Sequence, residues 1–478
     1  MHTKKIVQHV LIGALAIAFA ACSVPQSLVP REENKAIPQS FGGSLDTVNS
    51  ARVQWRNFFK NPYLTALIDS ALLKNQELNI MIREINIAQN EIRARKGEYL
   101  PFVDLETTAG IDKVSRYTRL GAMEANNEIV PGQEFPEPLP DYLLALNASW
   151  QVDIWKKLRN AKKAAIMRYL ATTEGRNFMV TNLVTEIANS YYELLALDSQ
   201  LEILRQNIQI QRNALAIVRQ QKEAARVTEL AVRRFEAEVL KNQSRQYLIQ
   251  QSIVETENRI NFLVGRFPRP VLRDSLDFID LTPIMTVTGV PSQLLANRPD
   301  IRRAELGLAA AKLDLSVAKA NFYPSLNISA GVGLQAFKAS YLISDPKSML
   351  YYLTTGLAAP LINRNAIKAE YYNANAEQIQ AVYNYERTIL TGFIEVANQL
   401  SNISNMDQSL DFRTRQVTAL TESIDISTRL FRSARADYME VMLTQRDALE
   451  GKIELIETKM RRWHAMVNIY KALGGGWN

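Results

Sequence analysis

The chain of 478 residues is poor in the side chains on which most enzymes and metal proteins depend. Cys22 is its one cysteine, so no intramolecular disulfide can form. Of its three histidines, His2 and His9 lie near the start, and His464 lies in a helical stretch without a second histidine or a cysteine to complete a metal site. The sequence has no Gly-x-Ser-x-Gly, phosphate-loop or His-Glu-x-x-His motif. These absences predict no catalysis, no cofactor and no metal site.

Long hydrophobic runs and a strong charge imbalance are also missing. No stretch after residue 22 approaches 18 consecutive apolar residues, so the sequence predicts no transmembrane helix. Lys and Arg number 56 against 49 Asp and Glu, and the two signs alternate along the helices. This balance argues against a nucleic-acid-binding surface.

The first 22 residues have the pattern of an export signal. Lys4 and Lys5 precede an apolar run from Val10 to Ala21. One interpretation is a secretory signal with a fortuitous cysteine. The favoured one is that the run resembles a bacterial lipoprotein signal, in which residues 1–21 are removed and Cys22 is acylated, for example with palmitate. The resemblance implies an outer-membrane location, because Ser23 follows the cysteine.

The remaining chain contains the same unit twice. Glu-Ile-Ala-Asn at 186–189 returns as Glu-Val-Ala-Asn at 395–398, and Gly265 returns as Gly474, both 209 residues later. Upstream matches are 223 residues apart, so the first copy carries 14 additional residues, which the proline-rich stretch at 131–140 supplies. Such self-similarity indicates a duplicated structural unit.

Each copy has the pattern of a helix, two short strands and two very long helices, which predicts an α+β chain. The predicted segments are the signal at 1–21, an N-terminal linker at 22–56, the first repeat at 57–265 with strands at 102–112 and 143–153, a connecting segment at 266–290, the second repeat at 291–474 with strands at 325–336 and 349–360, and a tail at 475–478.

The four strands alternate apolar and polar residues over about 10 positions, the length that a tilted strand needs to cross a membrane. Alternation alone leaves two interpretations open, a soluble sheet packed on a core or strands pooled between chains. Four strands cannot enclose a bore, since eight already fill with side chains. Three chains would supply twelve strands, with Asp104, Glu106, Gln151 and Asp153 facing a water-filled lumen.

The helices are longer than an ordinary domain requires. Apolar residues within 158–222 recur at spacings of three, four or seven, which is typical of a left-handed coiled coil. About 65 residues of helix extend roughly 95 Å. A second helix is predicted at 228–264, and the pair returns at 367–431 and 437–473. The turns between paired helices should lie at the same end of the molecule. A soluble coiled-coil rod is the alternative.

Several strings resemble the TolC-like outer-membrane factor family. The ending Tyr-Lys-Ala-Leu-Gly-Gly-Gly-Trp at 470–477 looks like the end of outer-membrane efflux lipoproteins, and the resemblance covers residues 22–477. Further matches lie at 150–155, 297–305, 320–326 and 437–441.

The resemblance implies a homotrimer whose 12-stranded β-barrel is continuous with a 12-helix α-barrel, surrounded by a belt that includes the linker and the connecting segment. Such a protein is the exit duct of a resistance-nodulation-division type tripartite pump. It docks a periplasmic adaptor and an inner-membrane transporter, and it passes drugs, toxic solutes or metal ions. A duct for type I protein secretion and a scaffolding lipoprotein are the alternatives.

The resemblance also implies site residues. Met439 and Leu443, four apart on one helix face, match a periplasmic gate, with Asp437 and Glu440 at its mouth. Ordinary coiled-coil packing is the alternative, and relatives often carry an acidic residue where Leu443 stands. The predicted docking residues for the adaptor lie in the two tip turns. They are Ala225, Arg226, Thr228, Ala434 and Arg435. Relatives usually have glycine at the two alanines, so we expect more helical tips here.

Overall fold

The computed structural model describes residues 24–25, 31–41, 48, 53–273, 278–281, 289–344, 346–433 and 435–477. The signal segment at 1–21, the predicted lipidation site Cys22 and the predicted docking residue Ala434 lie outside these residues.

The described chain consists mainly of helices. They are α1 (Trp55–Phe58), α2 (Pro62–Lys74), α3 (Gln76–Tyr99), α4 (Arg119–Asn126), α5 (Lys157–Glu223), α6 (Glu229–Val264), α7 (Leu294–Asn297), α8 (Pro299–Ala320), α9 (Ala339–Ser344), α10 (Asn365–Arg432) and α11 (Tyr438–Ala472). The strands are β1 (Phe102–Asp112), β2 (Glu128–Val130), β3 (Gln133–Glu134), β4 (Leu139–Val152), β5 (Ser325–Ala336) and β6 (Met349–Ala358). The predicted order of helix, two strands and two long helices is confirmed for both repeats.

None of the helices in the described ranges combines the length and the apolar character that a membrane span requires. The two longest, α5 and α10, contain 67 and 68 residues and carry charged side chains throughout.

The chain divides into two compact units, and each draws residues from both repeats. The first contains the described parts of 1–32, 86–170 and 306–382, and the second contains those of 33–85, 171–305 and 383–478. The long strands belong to the first unit, and most of the paired long helices belong to the second.

The first unit is built on an antiparallel sheet of order β1-β4-β5-β6. Two of the strands, β1 and β5, have the bounds that the sequence predicts. The start of β4 is corrected from residue 143 to Leu139, because Leu139 and Pro140 pair with Asp112 and Ile111. The end of β6 is corrected from residue 360 to Ala358, which is the last residue to pair with β5.

The second unit has a large apolar core and smaller apolar clusters along its long helices. Tyr470 of α11 stacks on Phe58 of α1, with ring centroids 4.0 Å apart, and its hydroxyl donates to the Val53 carbonyl. Phe278 of the connecting segment is fully buried in the same core. The apolar positions at heptad-like spacing in α5 are all buried, as a coiled-coil helix requires. They are Ile187, Tyr191, Leu194, Leu201, Leu204, Ile208, Leu215 and Val218.

The repeated glycines end α6 and α11 for two physical reasons. Gly265 and Gly474 have φ of 74° and 93°, in the left-handed region that favours glycine. A Cβ atom would also lie 2.4 Å from the Lys74 carbonyl oxygen at Gly265 and 2.5 Å from the Asn297 carbonyl oxygen at Gly474. Both turns therefore need glycine for its backbone freedom and for its small size.

Asn75 and Arg298, which are 223 residues apart, hold these two helix ends. The Asn75 amide donates to the Leu263 carbonyl at 2.9 Å, and the Arg298 guanidinium donates to the Ala472 carbonyl at 2.8 Å. The two side chains thus perform the same task in the two repeats, satisfying carbonyls that have no partner within their own helix.

Only the second repeat makes this contact with a charged residue. Arg298 is 5% exposed at its side chain and binds the carboxylates of Asp300 at 2.6 Å and Glu395 at 2.7 Å. Burial alone would lower the Arg298 pKa, but the bonds to the two carboxylates raise it above its ordinary value. Arg298 therefore stays charged and ties the end of α11 to α10.

We predict that Arg298→Ala lowers the free energy of unfolding by about 3 kcal/mol, because the substitution removes the donor to the Ala472 carbonyl and to the partly buried Asp300 carboxylate. The matched substitution Asn75→Ala removes neutral hydrogen bonds and should cost about 1–2 kcal/mol. Urea denaturation followed by tryptophan fluorescence measures both. Equal losses in the two variants would contradict the role of the charge.

Candidate functional site

The polar residues of the four-stranded sheet share one face. In the strand register, Asp104 pairs with Asn147, Glu106 with Ala145 and Gln151 with Asn327, and cross-strand partners point to the same side. The Asn147 amide donates to the Glu106 carboxylate at 2.8 Å and accepts from the Tyr352 hydroxyl at 3.0 Å. One side of the sheet is therefore a connected polar surface, and three of the four residues predicted to face a lumen lie on it.

Asp153 does not belong to that surface, and its predicted position is wrong. It lies one residue beyond β4, and its carboxylate accepts the backbone N–H groups of Leu158 and Arg159, each at 3.0 Å. The side chain is 2% exposed and also binds the Arg159 guanidinium. The apolar-polar alternation of β4 continues by coincidence into the turn, where the carboxylate satisfies the first N–H groups of α5.

The opposite face of the sheet is apolar and uncovered. Leu105 of β1 is 64% exposed, and Leu353 of β6 is 73% exposed. Ile111, Leu144, Leu146, Val332, Met349, Tyr351 and Leu357 are exposed on the same face. A sheet packed on a soluble core would bury this face. Monomeric soluble proteins rarely expose so many neighbouring apolar side chains.

Both edges of the sheet are unpaired within the described chain. β1 has β4 as its one neighbour, and β6 has β5 as its one neighbour. Each outer strand therefore presents a row of backbone N–H and C=O groups that pairs readily with another strand. Because all four strands are antiparallel to their neighbours, β6 of one chain and β1 of another would also meet antiparallel.

The turns between the paired helices lie side by side, as predicted. A groove of about 680 Å³ is bounded by both turns, with Arg226 of the first and Asp437 of the second in its wall. Its lining is otherwise mainly apolar, including Ile217, Val227, Phe235 and Phe431. Of the other predicted docking residues, Ala225, Thr228 and Arg435 lie in the adjoining turns. Thr228 and Asp437 precede α6 and α11 but make no side-chain capping bond.

The first tip turn corrects the expectation of a more helical tip. Ala225 has φ of 53°, in the left-handed region, and its N–H donates to the Lys222 carbonyl. The Arg226 N–H donates to the Gln221 carbonyl, and the Arg435 N–H makes the equivalent bond to the Leu430 carbonyl. The chain therefore ends α5 with the turn that normally uses glycine, although alanine is strained there.

Of the predicted gate residues, Glu440 and Leu443 lie on α11 outside its packing with α5 and α6. Tyr438 and Met442 pack against the buried cluster of α5 and α6. Leu443 is 36% exposed, Glu440 is exposed and Met439 is half-buried, with its sulfur 3.3 Å from the Arg234 guanidinium. Packing within the chain therefore does not account for Leu443.

His464 is a half-buried residue with a structural contact. Its Nε2 lies 3.1 Å from the Asn189 carbonyl oxygen, and burial lowers its pKa below the ordinary value. The ring is therefore neutral at neutral pH. Within the described ranges, no three His, Cys, Asp or Glu side chains cluster in a way that could hold a metal ion.

Comparison with known proteins gives consistent matches. A family model described as outer membrane efflux protein matches residues 67–266 and 290–475. The chain is 28% identical to the pyoverdine export outer membrane protein OpmQ of Pseudomonas aeruginosa, over 98% of this chain and 96% of that protein. It is 25% identical to the cation efflux system protein CusC of Escherichia coli O6:H1, over 97% of each chain. The fold matches the open-state MtrE outer membrane channel of Neisseria gonorrhoeae, with a TM-score of 0.82 at 20% identity and coverage of 95% and 98%.

We predict that Ala225→Gly stabilises the first tip turn by about 0.5–1 kcal/mol, because removal of the Cβ relieves more strain than the added backbone freedom costs. Hydrogen exchange of the amides at 221–228 should slow by about two- to five-fold. Ala216→Gly, in the exposed interior of α5, is the control and should speed exchange. Faster exchange in Ala225→Gly would show that alanine is unstrained there.

Proposed function

Because this chain belongs to the outer membrane efflux protein family, we propose that three copies form the outer-membrane exit duct of a tripartite efflux pump. One observation carries the proposal. The four-stranded sheet has a polar face, and the described part of the chain leaves its apolar face uncovered and both of its edges unpaired. A closed barrel in a membrane satisfies all three features, because lipid covers the apolar face and neighbouring chains pair the edges.

Twelve strands follow from three copies. With four strands per chain, two copies reach only eight, a number at which side chains fill the interior. Three copies leave room for water between the polar faces that carry Asp104, Glu106 and Gln151. Gly331 and Gly333 of β5 lie on the same polar face, and their lack of side chains leaves more space in the bore.

The long helices support the same assembly. Leu390, Phe412 and Ile426 of α10 are exposed, and Leu240, Tyr247 and Val254 of α6 are exposed at seven-residue intervals. Apolar stripes at this spacing pack against partner helices. In a trimer, α6 of one copy would cover α10 of the next and close a ring of twelve helices.

The duct needs a gate and a partner surface at its periplasmic end. Three copies of Leu443, with Met439 beside it, would narrow the bore by an apolar ring, and apolar constrictions close channels by expelling water. Asp437 and Glu440 would attract cations at the mouth. The apolar groove between the tip turns suits docking of a helical hairpin from a periplasmic adaptor, with Arg226 and Arg435 at its borders.

The pump would take its energy from an inner-membrane transporter, because the chain supplies a path and a gate. Relatives are named for pyoverdine export and for cation efflux. We therefore infer that small toxic solutes, drugs or metal ions leave through this duct, and that the transporter selects among them.

Acylation of Cys22 would add a lipid anchor to the barrel. Val24, two residues later, packs against a cluster that contains Phe322 and Tyr371 in the same unit as the sheet. The chain therefore emerges from the predicted anchor beside the membrane-facing part of the molecule. One acyl chain binds a membrane only marginally, whereas several chains anchor stably.

We predict that Leu353→Arg abolishes function, because it places a charge on the lipid-facing side of the sheet at a cost of about 2–4 kcal/mol per copy. Thr354→Arg, the next residue on the polar face, is the matched control and should be tolerated.

The measurements are the amount of trimer in the outer membrane and the rescue of a deletion strain exposed to drugs, bile salts, copper and silver. Equal behaviour of both variants would contradict the membrane-spanning sheet. A deletion strain with normal susceptibility that fails to release a polypeptide would favour the secretion duct.

We predict that Leu443→Ser raises single-channel conductance in planar bilayers, because hydroxyl groups keep the constriction wet. Leu73→Ser, at a highly exposed position of α2, is the control and should leave conductance unchanged. An unchanged conductance for Leu443→Ser would remove this residue from the gate.

A further inference from the structure

The turn between β4 and α5 holds a lysine in a strained backbone conformation. Lys156 has φ of 61°. A residue other than glycine pays about 1–2 kcal/mol in this region. The Lys156 side chain makes no hydrogen bond or ion pair with the described residues around it. The strained backbone at Lys156 is therefore not compensated by a contact of its side chain within the described chain. This points to a binding role for the side chain, since backbone strain often marks functional positions.

The next residue, Lys157, begins α5 and likewise has no ion pair within the described ranges. The helix N-terminus itself is already occupied, since the Asp153 carboxylate accepts the N–H groups of Leu158 and Arg159. Arg159 is neutralised by the same carboxylate at 3.1 Å. Two adjacent ammonium groups, rather than the helix end, therefore provide the free positive charge of this turn.

The same turn exposes two large apolar side chains. Ile154 and Trp155 are 48% and 46% exposed. The Trp155 ring stacks on Tyr323, with centroids 4.7 Å apart, and its indole N–H donates to the Pro324 carbonyl at 2.7 Å. Trp155 and Lys157 border a cleft of about 150 Å³ at this end of the sheet. An indole fixed in an exposed position beside lysines is typical of the boundary between lipid and water.

The second repeat has a turn of similar composition at the same end of the sheet. After β6, Leu361 and Ile362 are exposed and Asn363 takes a φ of 52°. Arg364 and Lys368 follow, and the Arg364 guanidinium lies over the Phe322 ring. Both repeats therefore place an apolar pair, a left-handed residue and basic side chains where the strands end.

We propose that the turn at 154–157 binds the phosphate of an anionic phospholipid in the membrane leaflet beside this end of the sheet. Lys156 and Lys157 hold the headgroup, and Ile154 and Trp155 lie against the upper acyl chains. The lipid is chosen because the exposed Ile154 and Trp155 follow closely after β4, whose apolar face includes Trp150 and Val152. The proposal rests on the proposed function, since it places the sheet in a membrane.

The test uses the full-length protein, purified in detergent and mixed with phosphatidylglycerol or phosphatidylethanolamine, with retained lipid counted by native mass spectrometry. Wild type should retain phosphatidylglycerol preferentially. The double variant K156Q/K157Q should weaken phosphatidylglycerol binding by about thirty-fold, because each lysine near an anionic surface contributes about 1 kcal/mol. The control K60Q/K74Q removes the same charge from two exposed lysines of the other unit and should leave binding unchanged.

A third variant separates binding from folding. Lys156→Gly removes one charge and relieves the backbone, so we expect about five-fold weaker phosphatidylglycerol binding together with a higher unfolding temperature. A stability loss in Lys156→Gly would show that the lysine serves the fold and would overturn the proposal.

Equal retention of the two lipids by wild type would also overturn it, as would displacement of phosphatidylglycerol by millimolar inorganic phosphate, which would assign the site to free phosphate. Conductance of the same preparation distinguishes failure of the proposed lipid site from failure of the proposed function. A conducting trimer without lipid preference refutes only the lipid site, whereas a protein that neither assembles nor conducts refutes the proposed function as well.

Discussion

Backbone hydrogen bonding at the edges of one small sheet is the constraint on which the rest of the molecule depends. Of the eleven residues of β1 and the ten of β6, about half direct backbone N–H and C=O groups to a side where the described chain provides no strand. In water these edges invite aggregation, and in lipid each unpaired group costs several kcal/mol. The proposed trimer would pair these edges, which makes association of copies a condition of its fold. The same assembly would place the apolar face against lipid and the exposed apolar side chains of the helices against partner helices.

Local patterns in the sequence were sufficient for most of the architecture. The positions of β1 and β5 were predicted approximately, because their alternation is uninterrupted and each follows a proline, Pro101 or Pro324. The long helices were predicted within a few residues, because nothing in 158–222 breaks the apolar repeat. The start of β4 was missed, because Leu139 and Pro140 look like loop and only pairing with distant Asp112 and Ile111 makes them strand.

The errors at the candidate sites have the same origin. Asp153 continues the alternation of β4, so sequence alone assigns it to the polar face, whereas the structure uses it at the start of α5. Ala225 was expected to extend a helix because it has a Cβ, but the turn to α6 imposes a left-handed residue on it. The equivalent roles of Arg298 and Asn75 at the helix ends were not predicted, because the carbonyls that they bind lie 174 and 188 residues away in the sequence. Periodicity carries no information about such contacts.

The loop insertion in the first repeat has a consequence for the shape of the assembled pore. Between β1 and β4 the chain forms α4 and a small hairpin, while the described residues of the corresponding connection between β5 and β6 form short helical turns. Duplication alone would give the outer opening six equivalent lobes. In the proposed trimer, growth of one connection would leave three large lobes alternating with three small ones, so a molecule that binds this rim from outside would meet three equal positions rather than six.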